Sequence, residues 1–428
     1  MKLLTDVTPL RQNPAFRRLW LGSIASGVGT AMTSFAMTLQ AWDITRSTAA
    51  VGGLGVATLV PMLVVALPGG TLADRVDRRK LVLAVTAGQA VFSALLFAQA
   101  AAGLRSLWLL YALAAAVSAS GAISQPARQT FVPKLVPAGQ LTTAMALGRI
   151  VFQVMMTVGP GLAGVVTAAV GVRGCYLVDA ASFAGAFYGV GQLPAMRPDP
   201  IKNDASRAER SGLALTVEGL TCVWRDRILA GTFLADLNAT FFALPLSLFP
   251  AINALRFGGD PRTLGLFTTA IGVGGMVTAV ASGPLARMPR RGLAMLVTVS
   301  AWGAAFAVFA ASPWLWLTLL ALAAAGAADS FTVVIRGVIV QTVTPDELRG
   351  RVSAADYVIG AGGPQLGSLE SGLLASVTSP VASAVAGGLL TIAGSVAIGA
   401  ALPAFRRYRD TATGAVSDGV GDAVGESA

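Results

Sequence analysis

Long apolar stretches alternate with short polar ones along this chain. Walked with a window of about 19 residues, the apolar stretches centre near Ala31, Val60, Leu95, Ala115, Met155, Ala184, Phe242, Val273, Ala304, Leu322, Gln365 and Leu390. Each is long enough for the roughly 20 residues a helix needs to cross a hydrocarbon layer. A membrane barrel would instead give short alternating segments, so the pattern predicts an all-α membrane protein with twelve transmembrane helices. The first span carries no small-residue cleavage site behind it and is expected to stay in the protein.

The longest polar stretch, about Pro194 to Arg227, separates six spans from six. Its run PAMRPDPIKNDASRAER reads as a linker. Its later part sets Leu213, Val217, Leu220 and Trp224 at helical spacing, suited to an amphipathic helix on the membrane surface. The expected organisation is a six-helix bundle over residues 1–193, a cytoplasmic linker over 194–227, a second bundle over 228–405 and a disordered cytoplasmic tail over 406–428.

The two halves repeat. Gly70-Thr-Leu-Ala-Asp74 after the second span matches Gly283-Pro-Leu-Ala-Arg287 after the eighth. Arg128 precedes Pro137 by the same interval as Arg336 precedes Pro345, and Gly159-Pro160-Gly161-Leu162 of the fifth span matches Gly363-Pro364-Gln365-Leu366 of the eleventh. Duplicated bundles with a substrate site at mid-membrane are an architecture of secondary transporters.

Hydrophobic residues make up 54% of the 428 positions and charged residues 12%, about half the charge of a soluble domain. The net charge of +10 has a membrane explanation rather than a nucleic-acid one. Nearly all the lysines and arginines fall on the side of the N-terminus, and the other side holds only Arg46, Arg105, Arg173, Arg256 and Arg262. By the positive-inside rule both termini are cytoplasmic. Cys175 and Cys222 fall on opposite sides and are not expected to pair.

Histidine is absent and there are two cysteines, which argues against a nucleophilic triad or a metal site. No lysine follows a glycine as in a phosphate-binding loop. Neither an enzyme, nor a cofactor, nor a metal is expected.

The loop Gly70-Thr-Leu-Ala-Asp74-Arg75-Val-Asp77-Arg78-Arg79-Lys80 resembles the signature G-x-L-A-D-R-x-G-R-R-K of the major facilitator superfamily, with Asp77 at the usual glycine. NPAFRRLWLG, QPARQTFVPKLVPAGQLTTAMAL, QTVTPDELRGRVSA and VTSPVASAVAGG narrow the resemblance to its enterobactin-exporter-like branch, from about Pro14 to Arg407. The resemblance implies the major facilitator fold, two pseudo-symmetric six-helix bundles, and a monomer of the bacterial inner membrane moving a small molecule. It implies that Asp74 braces the start of the eleventh helix, with Arg75 and Arg79 in the charge network around it. Gly159, Pro160 and Gly164 resemble the antiporter signature of the fifth span, although the fourth span carries no basic residue between Leu109 and Ser120.

An ionisable residue at a helix centre costs about 2.5–3.5 kcal/mol on insertion scales and is by default a functional candidate. Arg149, Asp179, Asp236, Asp329 and Glu370 fall inside spans. Asp179 lies on a span that the superfamily places at the periphery and reads as structural. The other four are candidates for a substrate and proton cavity, and Arg149 reads equally as the partner that pairs with one of the acids. Without histidine, proton coupling needs aspartate or glutamate. The expected function is proton-coupled export of a small amphipathic molecule, a siderophore of enterobactin type, with multidrug or antibiotic efflux as the alternative.

Overall fold

The structure is a computed structural model describing residues 6–196, 212–281, 290–345 and 348–409; within helices, the side chains at 66–71, 73–75, 212–217, 279–281 and 354 are outside the description. Among the described residues the regular structure is entirely helical. In chain order the helices are α1 Thr8–Gln12, α2 Pro14–Thr45, α3 Thr48–Arg75, α4 Arg78–Ala101, α5 Leu107–Gln129, α6 Phe131–Leu135, α7 Leu141–Val170, α8 Val172–Gly191, α9 Gly212–Arg225, α10 Arg227–Phe242, α11 Phe249–Arg256, α12 Pro261–Ala281, α13 Arg291–Ala311, α14 Leu315–Val343, α15 Arg349–Val377, α16 Pro380–Ala401 and α17 Pro403–Arg406. Every apolar centre read from the sequence falls inside or at the end of a helix. Eight helical segments are long and apolar enough to cross a membrane by length and composition. Among the described residues, α2, α8 and α15 fall below that mark.

Local chemistry sets the helix starts. The Asn13 side chain accepts from Phe16 N at 3.1 Å with Pro14 in the first turn, and Asp226 accepts from Ile228 N at 2.7 Å and Leu229 N at 2.9 Å. Each satisfies backbone donors that a helix leaves unpaired. α2 ends on a left-handed cap at Arg46, φ 51°, and α7 ends on Gly171, φ 78°. Pro245, which lacks an N–H, follows the end of α10 and separates it from α11. The seventh apolar stretch is therefore two rods rather than one.

The chain divides into two compact units that cut across the sequence halves. The first holds Met1–Arg210, Pro245–Gly272 and Ser368–Ser383; the second holds Ser211–Leu244, Val273–Gly367 and Ala384–Ala428. In the first, α2 lies along α8 through glycine. A Cβ at Gly22 would sit 2.7 Å from the Gly185 carbonyl oxygen, and one at Gly189 would sit 2.7 Å from that of Arg18. Lipid supplies no hydrophobic force between helices, so close backbone approach of this kind is what holds them. Leu19, Val82, Phe131, Val190 and Met196 close the core near the N-terminal ends of α2 and α4.

In the second unit, α9 is a helix as its spacing predicts; Leu213 and Val217 lie outside the described side chains, whereas Val223 is fully buried with Leu229, Phe233 and Val352. The helix docks on α10 and α15, leaving Trp224 exposed. Glu218 and Arg351 pair at 3.1 Å across the contact, and a Cβ at Gly219 would collide with the Arg351 carbonyl. Gly219→Leu is expected to lower stability by about 1–3 kcal/mol, read as a fall in the thermal unfolding midpoint in detergent. Gly350→Ala, which has open space around it, should not lower the midpoint.

Candidate functional site

α14 carries Asp329 and Arg336 seven residues apart, which is two helical turns and hence one face. That face meets α10, where Asp236 is buried. Arg336 Nη1 lies 2.6 Å from Asp236 Oδ2 and 3.5 Å from Asp356 Oδ1 of α15. Asp329 is within electrostatic reach of both Asp236 and Arg336. Two carboxylates thus contact one guanidinium, with Asp329 two turns away along the same helix, and the closest pair is well shielded, with side-chain exposures of 15% for Arg336 and 8% for Asp236. The rest of α10 is fastened by neutral groups. Asn238 Nδ2 donates to the Thr391 carbonyl at 2.8 Å, and Thr240 meets Gly363 where a Cβ would not fit.

Of the four residues singled out as cavity candidates, the structure gathers Asp236 and Asp329 into this cluster. Arg149 and the half-buried Glu370 belong to the first unit. The pairing of Arg149 with an acid is not formed: its side chain is exposed and meets no carboxylate among the described residues. Arg336 takes that role instead. Arg128 and Arg336, the repeat landmarks, both lie within helices, because α5 and α14 continue past their most apolar stretch. Asp356, at the start of α15, joins the ion-pair cluster through Arg336. The seven-residue spacing of Asp329 and Arg336 was the available signal.

In the first unit Asp179 is buried, accepting hydrogen bonds from Thr33 Oγ1 at 2.8 Å and Ser93 Oγ at 2.7 Å. It joins α2, α4 and α8, the structural role its position suggested. A second polar junction escaped the sequence reading: Gln40 and Gln99 exchange amide hydrogen bonds at 3.1 and 3.0 Å, and the buried Tyr176 hydroxyl donates to Gln40 at 2.6 Å.

The glycine–proline signature of α7 sits at two helix crossings. Gly159 faces Ala31 of α2; Gly164 and Gly265 bring α7 against α12, each placed so that a Cβ would lie 2.6 Å from a carbonyl oxygen, of Pro261 and Pro160 respectively. Thr269 Oγ1 donates to the Thr157 carbonyl at 3.0 Å and Gln153 Nε2 to the Gly272 carbonyl at 2.7 Å. A matching contact joins α3 to α15, where Thr48 Oγ1 donates to the Gly372 carbonyl at 2.8 Å and Gly52 faces Ser368. Pro364 lies inside α15.

In the signature loop, the side chains of Gly70, Asp74 and Arg75 lie outside the described residues, as does the Gly283–Arg287 counterpart. Asp77 adopts φ −60°, needs no left-handed backbone, and caps α4 by accepting from Arg79 N at 2.9 Å and Met196 N at 3.2 Å. Arg78 N donates to the Met196 carbonyl at 3.1 Å and the Arg79 guanidinium to that of Gly191, tying the loop to the end of α8, while Lys80 is exposed.

Helices of this length and apolar composition, packed through glycine-lined crossings around buried polar groups, are those of a multi-pass membrane protein. Residues 4–416 match the family described as transmembrane secretion effector, and the chain belongs to that family; it is a transporter and not an enzyme. It is 27% identical over 406 residues to the enterobactin exporter EntS of Citrobacter koseri, covering 95% of this chain and 96% of that protein. It is 26% identical over 408 residues to EntS of Shigella boydii, with the same coverage. Among solved structures, a D323A mutant of the nucleoside transporter NupG superposes with a TM-score of 0.71 at 14% identity, covering 91% of this chain and 99% of that one. A bacterial homologue of the lysosomal transporter Spinster gives 0.66 at 14% identity, covering 92% and 96%.

Proposed function

We propose that the chain exports a small amphipathic molecule of the siderophore class, enterobactin-like, across the bacterial cytoplasmic membrane, exchanging it for protons. Both termini lie in the cytoplasm, and the halves 1–193 and 228–405 alternate in access. Relatives named as enterobactin exporters, aligned over nearly the whole chain, support the cargo class. The observation that carries the coupling is the group of Asp236, Asp329 and Asp356 around Arg336. Like charges held together in a low-dielectric interior repel strongly, and a proton relieves the repulsion. With no histidine in the chain, a carboxylate has to carry it. A proton on Asp236 would remove the nearest partner of Arg336 and release the guanidinium toward Asp356. Proton uptake is thereby linked to the mutual position of α10, α14 and α15.

The test is flux of enterobactin in proteoliposomes with an imposed pH gradient. Accumulation is expected to rise by about tenfold per coupled proton for each pH unit. Flux indifferent to the gradient would remove the proton coupling. Flux of several unrelated toxicants with none of enterobactin would replace the siderophore reading with multidrug efflux.

A further inference from the structure

The first unit holds an open cavity of about 490 Å³ lined mainly by α2, α4, α5 and α7, within the size range of ligand sites. Arg128 lines it. Its Nη2 donates to Thr86 Oγ1 at 3.0 Å, and among the described residues it meets no carboxylate. Arg128 is only partly exposed, and a half-buried guanidinium with no carboxylate beside it among the described residues favours a ligand that brings a negative charge.

The internal repeat shows what is missing. Arg128 corresponds to Arg336, and the helices that face them, α2 and α10, begin at corresponding residues, Pro14 and Arg227, each preceded by a capping side chain, Asn13 and Asp226. Carried across on the same intervals, Asp236 falls on Ser23 and Asp329 on Gly121. Ser23 and Gly121 both line the cavity beside Arg128. In the second half, acids satisfy the arginine; in the first, a hydroxyl and a bare glycine leave room beside it. The space at Gly121 is real, since a Cβ there would meet only Gln89 Nε2, at 4.0 Å.

We propose that this cavity binds a small aromatic anion. Its oxyanion pairs with Arg128 and hydrogen-bonds to Gln125, and its apolar body rests against Trp20 and Met155, which line the same cavity. Arginine is suited to this because its fork of donors matches a carboxylate bidentately. The cavity belongs to the first unit alone, and the inference does not rest on the export reading.

The experiment is equilibrium binding of radiolabelled 2-naphthoate and of 2-naphthamide, its neutral counterpart, to the full chain in nanodiscs of phosphatidylcholine, where no net-anionic headgroup competes. The chain is expected to prefer the anion by about tenfold or more, the worth of one charge-assisted hydrogen-bonded pair. Arg128→Gln should reduce the preference to within about twofold while leaving naphthamide binding in place, and Arg128→Lys should keep part of it. Gly121→Asp, which restores the acid of the second half with Arg128 still present, should abolish the preference too. This variant decides the matter if Arg128→Gln fails to fold. Equal affinities for the two probes in the unaltered protein, or a preference that survives either Arg128→Gln or Gly121→Asp, would overturn the proposal whatever the outcome of the flux measurements.

Discussion

Arg336→Ala is expected to cost about 3–5 kcal/mol of stability and to abolish flux. The substitution leaves Asp236 buried beside Asp356 and Asp329 with the cation gone. Removing the opposite partner is gentler, because in Asp236→Asn the guanidinium keeps Asp356 at 3.5 Å. The double variant Asp236→Ala/Arg336→Ala deletes both charges and should recover most of the lost stability without recovering flux. That pattern separates a pair that holds the fold from one that also moves protons. The measurements are thermal unfolding in detergent and proteoliposome flux. An Arg336→Ala protein that melts with the unaltered chain would show that the pair is not shielded as described.

Gly164→Leu is the second large effect. At this crossing the neighbours of a new side chain are backbone: the Pro261 carbonyl oxygen at 2.6 Å and the Arg262 and Gly265 Cα atoms at 3.2 Å. Backbone cannot turn aside as a side-chain terminus can, so α7 and α12 must part, at a cost of about 1–3 kcal/mol or more. The crossing lies at the end that carries Arg173, Arg256 and Arg262. With Cys175 and Cys222 replaced by serine, a Thr269→Cys probe should react slowly with a membrane-impermeant maleimide. Adding Gly164→Leu should raise that rate by about tenfold or more, the factor from 1.4 kcal/mol of destabilised closure. Flux should fall in parallel. An unchanged labelling rate would mean that the contact between these helices does not control access there.

The membrane helices were legible because lipid admits few alternatives: a segment that spans it must be apolar and must satisfy its own backbone. Their starts were legible where a capping side chain precedes the first turn, as at Asn13 and Asp226. The placement of Arg128 and Arg336 was not. Charge counting assigns a basic residue near a span end to the adjoining loop, yet α14 runs to Val343, two turns beyond Arg336. Asp236 and Asp329 stood out as acids in apolar surroundings, but the partner of Asp236 lies 100 positions away, and no local pattern names it. Arg149 failed for a related reason: helical periodicity tells which residues share a face, not what that face meets. Among the described residues Arg149 meets no acid. The glycine–proline signature was visible as a motif, while its physical content, two carbonyl oxygens occupying the space of absent side chains, emerges only when α7 and α12 are brought together.

Asp179 offers α2 and α4 a shared acceptor, and Gly29 lets the α2 backbone close onto it without an intervening side chain. Helices tied to one carboxylate cannot ratchet by a turn of 5.4 Å without giving up both bonds inside a medium that offers no substitute. The three therefore travel as a single girder, and whatever bending the transport cycle demands has to be taken up in other parts of the chain.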